Sequence, residues 1–190
     1  MKRPQTAWIQ AIARCRVHRA RGTLIADQRG AAILEFAFIA APLMALLMAI
    51  VVTSTVYFAQ QGLETATEAT ARVLMTGTAQ SNGYSASQLK QAACNALPPY
   101  MKCASLMVDV QSASSFSAIS TAAPTITFDS HGNVTNSFSY TPGNSGDIVI
   151  IRLMYIWNLP TGPLGFNLAT LGNGQRLLVA TSVARTELYS

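Results

Sequence analysis

The chain has 190 residues, of which half are hydrophobic and only 11% are charged, whereas a typical soluble domain carries about 25% charged residues. This composition excludes general intrinsic disorder, which requires low hydrophobicity and high net charge, and it indicates contact with lipid. The formal net charge is +5, which would suit a nucleic-acid partner if the charge were spread over the whole chain.

The positive charge is instead confined to a basic leader, residues 1–30. Seven Lys and Arg side chains of this leader stand against the single carboxylate of Asp27. Residues 31–190 carry six cations and seven anions, so they have no excess of positive charge for binding a phosphate backbone. We therefore expect no nucleic-acid partner.

The next feature is a run without any charged residue, from position 36 to position 63. About 20 helical residues cross a hydrocarbon core of roughly 30 Å, which predicts a transmembrane helix over residues 31–58. The positive-inside rule keeps the leader in the cytoplasm, so residues 59–190 are expected to be exported. A buried core helix and a cleaved secretory signal peptide are the alternatives, but a signal peptide has only about 7–15 apolar residues.

The helix is predicted to continue beyond the membrane as far as Thr76. Residues 60–76 contain no proline and a single glycine, Gly62, and Gly77 is suited to end the helix as its C-cap. A helix from Ala31 to Thr76 would be about 70 Å long, half of it in lipid and half serving the exported domain as its spine.

The exported residues are predicted to form an α+β domain with a short second helix and an antiparallel sheet. The second helix is expected over residues 85–97, with Ser85 or Ser87 as its cap and Pro98-Pro99 as its stop. Strands are predicted at 105–111, 125–128, 134–140, 147–157 and 175–188. Residues 148–157 are apolar on both faces except for Arg152, which is typical of a central strand. Residues 142–146 are predicted to connect two strands as a hairpin, and residues 159–174 to form a long loop.

No motif for catalysis emerges from the exported domain. His131 lies in a stretch of turn composition, residues 129–133, and adjacent residues of a turn cannot supply the geometry of a catalytic triad. The carboxylates are dispersed, and an ion pair between Arg185 and Glu187 is the simplest account of that pair. We therefore expect no enzymatic activity, no cofactor, no metal and no small-molecule substrate.

The cysteines divide between the two parts of the chain. Cys94 and Cys103 lie nine residues apart in the exported part, without histidines at zinc-ligand spacing and not as a C-x-x-C pair. We expect a structural disulfide, with two inert free thiols as the alternative; Cys15 in the leader would remain in a reducing compartment. The bridge should contribute about 2.5–3 kcal/mol by restricting the unfolded chain.

A lone carboxylate stands at the fifth position after the glycine that ends the leader. Gly30 leaves the backbone accessible to a membrane protease in extended form, and cutting the Gly30–Ala31 bond would create an amino terminus one helical turn from Glu35. An ionisable residue at the start of a membrane span indicates a function. The alternative is an interfacial Glu35 that only reaches back to water.

Arg29-Gly30 followed by Glu35-Phe36 resembles the prepilin cleavage signature of the tight-adherence (Tad/Flp) branch of type IV pili. A wider pattern is similar to TadE-like minor pseudopilins, specifically over residues 29–75 and more loosely over 145–188. The stretches that carry it are 31–42, 58–66, 69–72, 146–155 and 184–187. Ala31 departs from classical pilins, which usually have Phe or Met directly after the cut.

The resemblance implies a pilin-like domain and a substrate of the prepilin peptidase, held in a bacterial inner membrane with its exported domain in the periplasm. It further implies partners among other pilins or pseudopilins and the assembly platform, a role for Glu35 and Phe36 in assembly, and a function in adherence and biofilm formation. Two alternatives remain: an uncleaved signal-anchor protein with a ligand- or partner-binding periplasmic domain, and a membrane-anchored periplasmic enzyme.

Overall fold

The fold comes from a computed structural model, which describes residues 31–118, 122 and 124–188. The chain divides into two compact units, Met1–Met44 and Ala45–Ser190. In the first unit the described residues are helical, and every described side chain except that of Ala40 is exposed. The predicted leader, with Cys15 and Gly30, lies outside the described residues.

The predicted long helix is confirmed as α1, Ala31–Met75. Its hydroxyl side chains do not disturb it, because they donate hydrogen bonds back to carbonyls of the preceding turn, as Thr53 does to Ala49 and Ser54 to Ile50, both at 2.8 Å. The helix ends where predicted. Gly77 adopts a left-handed conformation with φ 69°, which glycine reaches without the steric cost that other residues meet.

Two shorter helices follow α1. Helix α2 is a single turn, Thr78–Ser81. The predicted second helix is confirmed as α3, Ala86–Asn95, and Ser85 is its N-cap. Ser85 and Gln88 form a reciprocal capping box, in which each side chain bonds to the other residue's backbone N–H and so satisfies donors that the helix leaves free.

The sheet has three antiparallel strands in the order β1–β2–β3. The strands are β1 Leu106–Ala113, β2 Ile148–Asn158 and β3 Gln175–Arg185. The first eight residues of β2 are buried, so the prediction of a central strand is confirmed. Residues 159–174 connect β2 to β3 as the predicted loop, with one 3₁₀ turn at Pro163–Gly165.

One face of the sheet packs with the helices to form the core of the second unit. Apolar residues of α1, α3 and all three strands share one buried cluster. Its members include Ala59, Leu63, Ala66, Leu74, Leu89, Leu106, Val110, Ile151, Leu153 and Leu178. The α1 residues of this cluster lie in the C-terminal half of the helix, as expected of a spine. The predicted α+β class is therefore confirmed.

The strands predicted at 125–128 and 134–140 are wrong. Only two isolated bridges form there, between Phe128 and Val134 and between Val110 and Tyr140. The amide of Asn136 replaces the ladder, because its Oδ1 accepts from the Thr127 N–H at 2.7 Å and its Nδ2 donates to the Thr125 carbonyl at 2.8 Å. Because the Asn136 side chain forms both of these hydrogen bonds with the backbone, the two segments do not continue as paired strands.

Two further predictions, the hairpin at residues 142–146 and the C-terminal end of β3, are also corrected by the structure. Because residues 134–140 are not a strand, residues 142–146 are a loop before β2 and not a hairpin connection. Strand β3 ends at Arg185, three residues earlier than predicted. Beyond it the Glu187 N–H donates to the Met75 carbonyl at 2.8 Å, which draws the chain away from the sheet and onto the end of α1.

Candidate functional site

The N-terminal part of α1 is the candidate site, and its apolar surface is exposed. Ile33, Phe36, Phe38 and Ile39 are each about 70–80% accessible to solvent. Among the described residues, α1 is the one helix long and apolar enough to cross a membrane. Only 6% of its most apolar stretch is buried, whereas a core helix of a soluble protein is mostly buried.

The predicted processing and assembly residues lie at the start of this helix. Ala31 is the first residue of α1, and Glu35 follows one turn later with an exposed side chain. Phe36, its neighbour in the predicted signature, is 72% exposed. Gly30 lies outside the described residues, so cleavage between Gly30 and Ala31 stays a prediction, as do the roles of Glu35 and Phe36.

The second unit contains an open groove beside α1. Its wall on the helix side runs from Ala49 to Gln61 and includes Tyr57 and Phe58, and its opposite wall is Phe166 of the β2–β3 loop. The groove has a volume of about 530 Å³. Its lining residues carry no charge, which suits apolar groups and not a polar substrate.

The disulfide predicted between Cys94 and Cys103 is present, with the two Cα atoms 5.3 Å apart. It joins the last turn of α3 to the turn that precedes β1. The segment inside the loop packs against α1, where the hydroxyl of Tyr100 donates to the Phe58 carbonyl at 3.0 Å. A Cβ placed on Gly62 would lie 2.5 Å from Pro98 Cγ, so the close approach of this segment requires glycine.

Sequence reasoning missed the buried ion pair of the sheet. Arg152 Nη1 lies 2.9 Å from Asp109 Oδ2, and the two residues are paired across the β1–β2 ladder. The signal for it was Arg152, the one charge in an otherwise apolar central strand. The ion pair expected between Arg185 and Glu187 is wrong: Arg185 Nε donates to the Gly146 carbonyl at 2.9 Å, and among the described residues it forms no ion pair.

The stretch around His131 is a turn, as predicted. Asp129 Oδ1 accepts hydrogen bonds from the backbone N–H groups of His131 and Asn133, both at 2.8 Å. The side-chain amide of Asn133, followed by these backbone donors, lowers the pKa of Asp129 below its usual 3.8. The carboxylate therefore serves as a turn cap, and His131 does not form part of a catalytic group with it.

Tyr140 is the second residue with a shifted pKa. Its hydroxyl donates to the Tyr84 carbonyl at 2.6 Å, and burial raises its pKa above 10.0. Burial disfavours the phenolate, so the hydroxyl stays protonated and fastens the segment after α2 to the segment that runs beside β1. This role is structural.

Comparison with known proteins agrees with the geometry of the N-terminal segment. Residues 30–72 match the family model described as TadE-like protein. No curated protein and no solved structure matches the chain. The matched segment contains Glu35, Phe36 and the exposed apolar surface of α1. The resemblance predicted from the sequence is therefore confirmed over residues 30–72, where the chain is similar to TadE-like proteins.

Proposed function

We propose that the protein is a minor pseudopilin that supports the assembly or priming of a Tad/Flp-type pilus used for adherence and biofilm formation. The observation that carries the proposal is the coincidence of two features in one segment. Residues 30–72 match TadE-like proteins, and they include the most apolar stretch of α1, of which only 6% is buried within the part of the chain that the structure describes. The proposed role is structural and includes no catalytic step.

The proposed topology places α1 across the bacterial inner membrane, with its N-terminal end in the cytoplasm. Support comes from the seven basic residues of the leader, since positively charged flanks stay cytoplasmic. Residues 59–190 then lie in the periplasm. The disulfide between Cys94 and Cys103 agrees with that location, because disulfides persist in oxidising compartments.

Processing by the prepilin peptidase is proposed at the Gly30–Ala31 bond. The support is sequence context: the basic leader ends at Gly30, and α1 begins at Ala31. Cleavage would create an ammonium group one turn from the Glu35 carboxylate. In a region with little water, each charge lowers the free-energy cost of keeping the other ionised.

Assembly is proposed to occur through the exposed part of α1. Residues 32–51 present large apolar side chains together with alanines, and small residues allow helices in membranes to pack closely. Repeated contacts of this kind between copies or related chains would build an open helical array. The expected partners are other pilins or pseudopilins and the inner-membrane assembly platform.

The proposal is tested by deleting the gene, restoring it on a plasmid and scoring pili by electron microscopy together with adherence. N-terminal sequencing of the membrane-extracted protein is done in parallel. We expect loss of pili in the deletion strain, restoration by the plasmid, and a mature chain that starts at Ala31. A strain without prepilin peptidase is the control and should retain Met1.

Two results would contradict the proposal. A chain that starts at Met1 in peptidase-positive cells indicates the uncleaved signal-anchor protein instead. Normal piliation without the gene removes the assembly role, whatever the N-terminus of the mature chain.

A further inference from the structure

The loop between β2 and β3 is unusual for a surface connection. Its 16 residues, 159–174, contain no charged side chain and eight apolar ones counting its two prolines. Charged and polar side chains normally keep such connections in water. The loop shares with the apolar part of the helix beside it the absence of any charged side chain.

The tip of the loop has a solvent-exposed leucine with a strained backbone conformation. Leu164 is 90% exposed, and its φ is 52°, a left-handed conformation that is sterically costly for a residue with a Cβ. Gly162 allows the tight turn, since a Cβ there would collide with the Phe166 carbonyl. Backbone strain that presents a leucine to solvent has no benefit for folding and indicates a function.

The base of the loop is fastened, so the tip has a defined position. Arg176 Nη1 donates to the Leu168 carbonyl at 3.0 Å. The N–H groups of Thr170 and Leu171 both donate to the Gln175 carbonyl, at 3.1 and 2.9 Å. These bonds close the C-terminal half of the loop onto β3, and the tip, residues 162–166, lies beyond them.

The tip lies beside the part of α1 where the apolar run ends. Phe166 faces Ile50, Tyr57 and Phe58 across the open groove. Tyr57 and Phe58 are both more than 70% exposed. Tyr100, bonded to the Phe58 carbonyl, adds a third exposed aromatic ring at this level. Aromatic side chains are favoured at the boundary between lipid and water.

We propose that the loop tip, residues 162–166, enters the periplasmic leaflet of the membrane that α1 spans, with lipid acyl chains filling the groove between Phe166 and the helix. The proposal rests on the membrane topology proposed above. Lipid is the occupant that these residues favour, because the groove is continuous with the lipid-facing surface of α1 and its lining carries no charge that would select a protein partner. The loop then acts as a second membrane contact that fixes the orientation of the exported domain.

The experiment uses the full chain with Cys15→Ser, so that the two remaining native cysteines are held in the disulfide. Single cysteines are introduced at Leu164, at Met48 as the membrane reference and at Ser130 as the aqueous reference, and each is spin-labelled. All three positions are at least half exposed or lie in an exposed turn, so labelling is compatible with the fold. The proteins are reconstituted in vesicles of phosphatidylethanolamine and phosphatidylglycerol.

Collision rates of each label with oxygen, which concentrates in lipid, and with a water-soluble nickel chelate are then measured. We expect the label at Leu164 to resemble that at Met48, with nickel accessibility several-fold lower than at Ser130 and high oxygen accessibility. A water-like label at Leu164 beside a lipid-like label at Met48 overturns the loop proposal and leaves the topology intact. Low accessibility to both reagents at Leu164 indicates a protein contact and also overturns it. A water-like label at Met48 contradicts the transmembrane helix itself.

Discussion

Arg152 Nη1 donates a hydrogen bond to Asp109 Oδ2 across the β1–β2 ladder, and only 4% and 5% of the two side chains remain exposed. The other carboxylate oxygen of Asp109 accepts from the Ser139 N–H at 2.9 Å. The pair thus joins the central strand to β1 and to the irregular segment that runs beside it. Arg152 Nε and Nη2 have no partner among the described residues, so Asp109 carries the whole compensation of a buried cation.

Asp109→Asn is expected to lower the free energy of unfolding by about 3–5 kcal/mol, because it leaves the buried guanidinium without a counter-charge. The measurement is urea unfolding of the detergent-solubilised protein, followed by circular dichroism. Glu187→Gln is the matched control: its side chain is exposed, and we expect a change within about 0.5 kcal/mol.

The double variant Asp109→Asn with Arg152→Met should recover part of that loss, since it removes the uncompensated cation. Equal unfolding midpoints for the parent and Asp109→Asn would contradict this account of the pair.

Gly62→Ala is expected to destabilise the protein, although alanine in an exposed helix normally stabilises by up to about 1 kcal/mol. The added Cβ would lie 2.5 Å from Pro98 Cγ and 3.0 Å from the Tyr100 hydroxyl, and overpacking of this kind costs about 1–3 kcal/mol. Thermal unfolding shows whether the substitution lowers or raises the stability of the protein. Thr65→Ala, at an exposed position of the same helix, is the control and should be neutral or slightly stabilising. A gain in stability for Gly62→Ala would show that the Pro98 segment moves away freely.

Replacement of both Cys94 and Cys103 by serine is expected to lower stability by about 2.5–3 kcal/mol, because the bridge restricts a short loop of the unfolded chain. Unfolding with and without a reducing agent measures this difference. Cys15→Ser is the control and should behave as the parent protein. Mass spectrometry of periplasmic material without reduction should find the two cysteines linked, and two freely alkylated thiols would refute the bridge.

Glu35→Gln is expected to yield a protein that is exported, folded and mostly cleaved but does not support pili. The substitution removes the carboxylate that would pair with the Ala31 ammonium of the same or a neighbouring subunit. It changes no residue of the exported domain. Electron microscopy of the complemented deletion strain and immunoblotting of the mature chain separate assembly from processing. Glu68→Gln, an exposed carboxylate farther along α1, is the control and should restore piliation. Full piliation by Glu35→Gln would make Glu35 a simple interfacial residue.

The features that sequence predicted well are those that depend on local chemistry. The apolar run predicts α1 itself. The end of α1 is determined by Gly77 and the start of α3 by Ser85, and each of these residues acts through its nearest neighbours along the chain. The burial of β2 could be predicted from the sequence because both faces of the strand are apolar. The TadE-like segment was recognisable for the same reason: its signature lies within one continuous stretch, from Gly30 to Arg72.

The features that sequence did not predict depend on partners that lie far apart along the chain. Asp109 and Arg152 meet only because the β1–β2 register places them opposite each other, and the composition of either strand does not contain that register. Residues 125–128 and 134–140 have the composition of strands, but the side chain of Asn136 forms the hydrogen bonds with the Thr127 N–H and the Thr125 carbonyl that a ladder would need. In both cases the local structure depends on a contact with a residue that lies far away along the chain.

The hydroxyl groups near the end of the membrane segment have a consequence for how such helices would line up. Thr53 and Ser54 use their O–H donors within α1, and residues 36–52 offer no polar side chain at all. A neighbouring helix packed against this stretch would therefore find no side-chain hydrogen bond that fixes its axial position. In the proposed assembly, the axial step between subunits would then be set at the two ends of the stretch, by the charge of Glu35 on one side and by the folded domain on the other.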